Sequence, residues 1–231
     1  MQNYVGIVAE FQLTAEGKKA ARITCPEKAI PAPGQYVLAH APADTEAPLA
    51  TVLFNTEGGP GSFVAAPPIP DTWQLGTSLH LYGPLGKGFR IPGRIRNLAL
   101  VALGDTISRL LPLLSLADNT ALFLSPSLSS LSPFLPTSIE INPLSDLPSA
   151  LTWAEVIAID LPLEQLAELR RLLALPKGAF PPCPVQVLVH TPMPCGGRAA
   201  CGVCAVGRGS HYMYACLDGP VLDLNNLLRE T

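Results

Sequence analysis

The stretch GPLGKGFRIPGRIRNLALVAL, residues 83–103, is where the chain changes character. Its first half is glycine, proline and basic residues. Its second half, IRNLALVAL (95–103), is a near-continuous apolar run, as expected of a parallel strand buried on both faces. Upstream lie short runs rich in Val, Ile, Leu, Phe and Tyr: NYVGIVAEFQL, KAARITC, GQYVLAHA, PLATVLFN, GSFVAA and TSLHLYG. EGK, PAPG, EGGPG and PPIPD separate them. Short strands punctuated this way predict an antiparallel barrel or sandwich over residues 1–92.

Downstream the period changes. TISRLLPLLSLA (106–117) reads as a helix that Pro112 kinks, and TALFLS as a second strand. IEINPL reads as a further short strand and EVIAID (155–160) as another. PLEQLAELRRLLAL (162–175) reads as a helix, with Pro162 in its first turn and Arg170 and Arg171 late. VQVLVH (185–190) closes the series. Strands alternating with helices predict a small parallel α/β, Rossmann-like domain over 93–190, followed by a cysteine-bearing module over 191–231.

The bulk numbers bound the function. With 231 residues, 48% hydrophobic and 14% charged, the chain builds a core and is not disordered. A net charge of −3 without a basic stripe argues against a nucleic-acid partner. No apolar run approaches the ~18–20 residues of a membrane span: LALVALGDTISRLLPLLSLA is broken by Asp105, Arg109 and Asp118. The N-terminus MQNYVGIVAEF lacks a signal-peptide pattern, so a cytoplasmic protein is expected, and clustered cysteines read first as metal ligands. The 25 prolines, roughly twice the usual ~5%, predict short elements and limited helix.

Four of the six cysteines gather in MPCGGRAACGVCAVGRGSHYMYACLDGP, residues 193–220. Cys195, Cys201, Cys204 and Cys216 are spaced C-x5-C-x2-C-x11-C. Four thiolates repel one another unless a soft metal neutralises them. Zinc sites draw ligands as two short-spaced pairs, and here only Cys201 and Cys204 form one. The plant-type [2Fe–2S] spacing C-x4-C-x2-C…C differs by one residue in the first gap. A Rieske centre needs two histidines, and only His211 lies in the region. Gly196, Gly197 and Gly202 let the backbone wrap a cluster closely, and its N–H groups can donate to sulfur. A structural zinc site and a reduced C-x2-C redox pair are the alternatives. Cys25 and Cys183 read as small core residues, and His40, His80 and His190 carry no ligand pattern.

These features resemble the iron–sulfur, flavin-containing electron-transfer subunit of type B dihydroorotate dehydrogenase, a branch of the ferredoxin-reductase superfamily. The tail carries the likeness through Met193, Cys195, Gly196, Cys201 and Cys204, then through Cys216, Asp218, Gly219, Pro220 and Val221. GPLGKGF (83–89) and PGQY (33–36) resemble two further motifs of that family. The resemblance implies a flavin-binding barrel, a nucleotide-binding α/β domain and a C-terminal [2Fe–2S] module. It also implies electron transfer from NADH through FAD and [2Fe–2S] to a partner catalytic flavoprotein that makes orotate for pyrimidine biosynthesis.

Two departures qualify it. The family's flavin motif, Arg-x-[Leu/Phe/Tyr]-[Ser/Thr], matches best at APLA (47–50), where Ala47 replaces the arginine and Ala50 the hydroxyl. Asp44 and Glu46 stand nearby instead of a compensating base. At the first α/β turn, ALGDTISRL has Gly104 alone, followed by Asp105. Asp105 reads as a helix cap whose charge repels a phosphate, so NAD(H) is not expected there. FAD stays open, and a non-catalytic iron–sulfur relative without flavin and nicotinamide sites is the alternative function.

Overall fold

A computed structural model of the protein describes residues 2–42, 49–128, 131, 135–207 and 212–228. Ala47, Asp44, Glu46 and His211 lie outside the described residues. The barrel is built from β1 (Asn3–Leu13), β2 (Lys19–Thr24), β3 (Tyr36–His40), β4 (Thr51–Gly59), β5 (Ser62–Ala65) and β6 (Ser78–Leu85). It closes in the order β1-β2-β5-β4-β3-β6, with antiparallel pairing throughout. Closure leaves no free edge, and alternation sends one set of side chains inward. In β6, Leu79 and Leu81 are buried while Ser78 and His80 face solvent. With Val8, Ile23, Val37, Leu53 and Phe63 they fill the interior, which Trp73 caps.

The second sheet has the order β14-β11-β10-β7-β8-β9. Its strands are β7 (Ile95–Ala102), β8 (Ala117–Leu124), β9 (Ile139–Pro143), β10 (Val156–Pro162), β11 (Val185–His190) and β14 (Val221–Asp223). All neighbours run parallel except β14, which returns antiparallel on β11. Counting only the parallel strands in chain order gives 3-2-1-4-5, the doubly-wound arrangement. As its composition predicts, β7 is buried over Leu98–Ala102 and occupies the middle of the sheet. The fold is therefore a closed antiparallel barrel joined to a parallel-rich sheet, the architecture expected over residues 1–190.

Helix is scarcer than the apolar periodicity suggests. The 106–117 segment forms a 3-10 helix over Ser108–Leu116, because Pro112 removes an N–H from the middle of the run. The 162–175 segment is a 3-10 turn, Leu163–Glu168, continued by the short α2 (Leu169–Leu172). Its Pro162 ends β10 rather than opening a long helix. Two further short α-helices among the described residues are α1 (Leu147–Trp153) and α3 (Leu224–Leu228).

The tail folds between the two layers. Cys195 to Cys204 form turns, β12 (Ala205–Val206) pairs with β13 (Met213–Tyr214), and β14 then joins the sheet. One apolar cluster unites Tyr36, Leu38 and Phe54 of the barrel with Val101, Ile159 and Val187 of the sheet and with Cys204, Cys216 and Val221 of the tail. The two layers and the cysteine segment thus share a core.

Candidate metal centre

Three stretches distant in sequence meet beneath the cysteines. Lys87, in the loop after β6, donates its N–H to the Gly219 carbonyl and accepts from Val221 N–H at 3.2 Å. Gln35 donates to the Gly86 carbonyl at 3.1 Å. A Cβ on Gly86 would lie 2.6 Å from Gly219 O and 2.6 Å from Pro220 Cδ, so only glycine fits. PGQY, GPLGKGF and DGPV therefore form one junction between barrel and tail. Tyr36, which is fully buried, spans it: its hydroxyl donates to the Cys216 carbonyl at 2.9 Å. A Cβ on Gly197 would sit 2.8 Å from that same hydroxyl. Burial, and then the neighbouring Cys216, Cys204 and Cys195, push the Tyr36 phenol well above its ordinary range, so it stays a donor.

The four cysteines gather in the tail, where Ala215 N–H donates to the Cys204 carbonyl at 2.9 Å and so sets Cys204 beside Cys216. Cys204 and Cys216 are buried, Cys195 is half-buried and Cys201 is exposed. Among the described residues, no three Cys, His, Asp or Glu side chains converge on a point suited to a single ion.

Left-handed backbone clusters between Cys195 and Cys204. Gly196, Gly197, Ala199 and Gly202 have φ of +69°, +75°, +54° and +74°. Left-handed residues interleaved with ordinary ones make the backbone concave, with N–H groups lining the hollow. Ala199 adopts this conformation without glycine's freedom, a strain of about 1 kcal/mol that its neighbours must offset. The Ala200 N–H, against a smaller effect of burial, leads in lowering the Cys195 thiol to about 6. Burial, then the adjacent Cys204, push Cys216 up to about 12. Four thiols beside glycine-rich, left-handed backbone are the donor types that a [2Fe–2S] group would take, two protein sulfurs to each iron.

The first turn of the α/β sheet is built differently from expectation. Asp105 does not cap the following helix: its carboxylate pairs at the surface with Lys18, whose ammonium holds its pKa below the usual range. The cap comes from the barrel. Glu16, between β1 and β2, accepts from Ile107 N–H at 2.7 Å and from Thr106 Oγ1 at 2.9 Å. Thr106 Oγ1 in turn accepts from Ser108 N–H at 3.0 Å. Deeper in, Arg109 donates through Nε to Asp160 Oδ2 at 2.8 Å, and both are buried. The Arg109 guanidinium lies 5.9 Å from the centre of the Phe54 ring on β4. His190, at the end of β11, lies 6.4 Å from the same ring, ring centre to ring centre. Burial, then Arg109, lower His190 to about 4 and leave it neutral. Sequence reasoning passed over Glu16, Arg109 and Asp160. The signal for two of them was present: one charge in a buried helix and one at the end of a buried strand require each other.

No protein-family model matches the sequence, and no curated protein does. Solved structures share the fold. A chain of the NADH-dependent reduced ferredoxin-NADP oxidoreductase, described for flavin-based electron bifurcation, superposes with a TM-score of 0.70 at 21% identity, covering 96% of this chain and 91% of that one. The ferredoxin reductase of carbazole 1,9a-dioxygenase, in its FAD apo form, gives 0.54 at 18% identity, over 75% of this chain and 63% of that one. The ferredoxin-NADP+ reductase of Plasmodium falciparum gives 0.57 at 9% identity, over 81% and 96%.

Proposed function

We propose that this chain is an electron-transfer subunit in which Cys195, Cys201, Cys204 and Cys216 hold a [2Fe–2S] cluster. The observation that carries the reading is the burial of Cys204 and Cys216 in the core shared by both layers, beside the left-handed, glycine-rich segment that bears Cys195 and Cys201. A [2Fe–2S] group would take two protein sulfurs on each iron, and the C-x5-C-x2-C-x11-C spacing lacks the two short pairs of a zinc site. The cluster would supply one-electron chemistry. The chain supplies the rest: Tyr36 anchors the carbonyl of Cys216, buried Cys204 and Cys216 exclude water from one side, and exposed Cys201 marks the side open to a partner. The tail motif, the oxidoreductase folds of the structural neighbours and the junction of PGQY, GPLGKGF and DGPV support a partner that is a dihydroorotate dehydrogenase-like flavoprotein, with a role in pyrimidine biosynthesis.

A specific observation favours a second reading, an iron–sulfur protein without its own flavin. Phe54 on β4 is covered by Arg109, His190 and Tyr36, so this face of the barrel packs on the chain's own side chains. Ala50 precedes β4 where the family's flavin motif ends in a hydroxyl.

Anaerobic purification separates these readings. A visible chromophore that Cys204→Ser abolishes and Cys25→Ser retains supports the cluster. Loss from neither variant, or a colourless zinc-loaded protein, contradicts it. FAD released on heating selects the first reading, and a full cluster without flavin selects the second.

A further inference from the structure

In open α/β sheets, ligands bind outside the carboxyl ends of the strands, where the strand order reverses. In this sheet that point lies between β7 and β10. A dinucleotide there needs three things: free N–H groups at the helix start for a phosphate, space between the strand ends, and an open approach. None is available. The Ile107 N–H is taken by the Glu16 carboxylate and the Ser108 N–H by Thr106 Oγ1, itself donating to Glu16. Asp160, the fifth residue of β10, and Arg109 occupy the space beside Gly104, with one Arg109 terminal nitrogen 4.0 Å from where a Gly104 Cβ would be. Phe54 and the Pro67 carbonyl, both from the barrel, close the approach over the guanidinium.

We propose that the chain has converted its nicotinamide-dinucleotide crevice into an interdomain latch, in which the Glu16 carboxylate stands where a phosphate would bind and the Arg109–Asp160 pair fills the switch point. The two anions are placed where a phosphate oxygen would find N–H donors and where a ribose or nicotinamide would find room. Glu16 belongs to the barrel and its donors to the α/β layer, so the contact that excludes the nucleotide also ties the layers together. Burial alone would raise the Glu16 carboxyl; hydrogen bonds from Thr14, Ile107 and Thr106 outweigh it and lower the pKa, as an acceptor site for an anion does. The latch is independent of the cluster: NADH exclusion and cluster content are separate measurements on the same purified chain.

The test has two arms on the full chain. Calorimetric titration of the wild-type protein with NADH and NADPH gives no saturable heat; saturable binding of either overturns the proposal. The second arm compares wild type with Glu16→Ala and Glu16→Gln by thermal melting in sodium chloride and in sodium phosphate of equal ionic strength. Wild type gains only the general stabilisation that phosphate, an excluded salt, gives any folded protein. Glu16→Ala melts about 3–6 °C lower in chloride and regains part of the loss in phosphate, which enters the vacated acceptor position. Glu16→Gln, which keeps the acceptor oxygen and loses the charge, melts between the two. A Glu16→Ala protein that melts with wild type in chloride, or that gains no more from phosphate than wild type does, overturns the stand-in role of Glu16.

Discussion

Replacing Arg109 by methionine removes one charge from a buried pair while keeping much of the side-chain length. Arg109 and Asp160 are 4% and 1% exposed, and their Nε–Oδ2 contact is 2.8 Å. Asp160 Oδ1 has no hydrogen-bond partner among the described residues, so Arg109 carries the burden of stabilising that carboxylate. Stranding a buried charge in this way costs about 3–5 kcal/mol. For a domain of this size that corresponds to a fall of roughly 10 °C in melting temperature. The loss depends on pH. Burial already raises the Asp160 carboxyl, and Arg109 opposes it; without Arg109 the folded-state pKa climbs further. Between the unfolded and folded pKa values the folded state then binds the extra proton, so stability grows as pH falls through that window. The Arg109→Met deficit should therefore shrink from pH 8 to about pH 5. Arg109→Met/Asp160→Leu should recover most of it, because an apolar pair of similar volume replaces a buried ion pair at little cost. Urea denaturation across that range measures both effects. A deficit under about 0.5 kcal/mol, the scale of an ordinary surface substitution, or one that does not change with pH, refutes the buried pair as described.

Two more expectations follow from the same geometry. Gly86→Ala places a Cβ 2.6 Å from the Gly219 carbonyl at a φ of +73°, so backbone must move; thermal melting should show a loss of about 1–3 kcal/mol, against about 1 kcal/mol for Gly17→Ala, which has a φ of +72° but open space. His190, lowered to about 4 in the folded protein, takes up a proton only when unfolded between pH 6.5 and that value; stability should fall as pH drops through this window, and His190→Gln should flatten the slope, read from urea midpoints.

The barrel was legible in the sequence because alternation and turn residues are local. NYVGIVAEFQL became β1 without adjustment, and TSLHLYG became the inner core of β6. The parallel sheet was legible from composition, since IRNLALVAL is too apolar for a half-exposed strand. The helices were overread: Pro112 shortens the hydrogen-bond ladder more than apolar periodicity reveals. The cysteine set was visible as a pattern, but the burial of Cys204 and Cys216 against an exposed Cys201 belongs to the fold. Asp105 was misassigned for a related reason. A local sequence window supplies a cap from the nearest acidic residue, whereas the chain supplies Glu16 from the β1–β2 turn. Tyr36 was visible only as the last residue of PGQY, and its hydrogen bond was not, because its partner Cys216 lies 180 residues away.

The central claim is the metal content of the cysteine segment, and elemental and sulfide analysis of the anaerobically purified chain tests it most directly. The account predicts two irons and two acid-labile sulfides per chain, both absent when Cys201 is replaced by serine. One zinc per chain without labile sulfide, or no metal with all four thiols free to titrate, contradicts it.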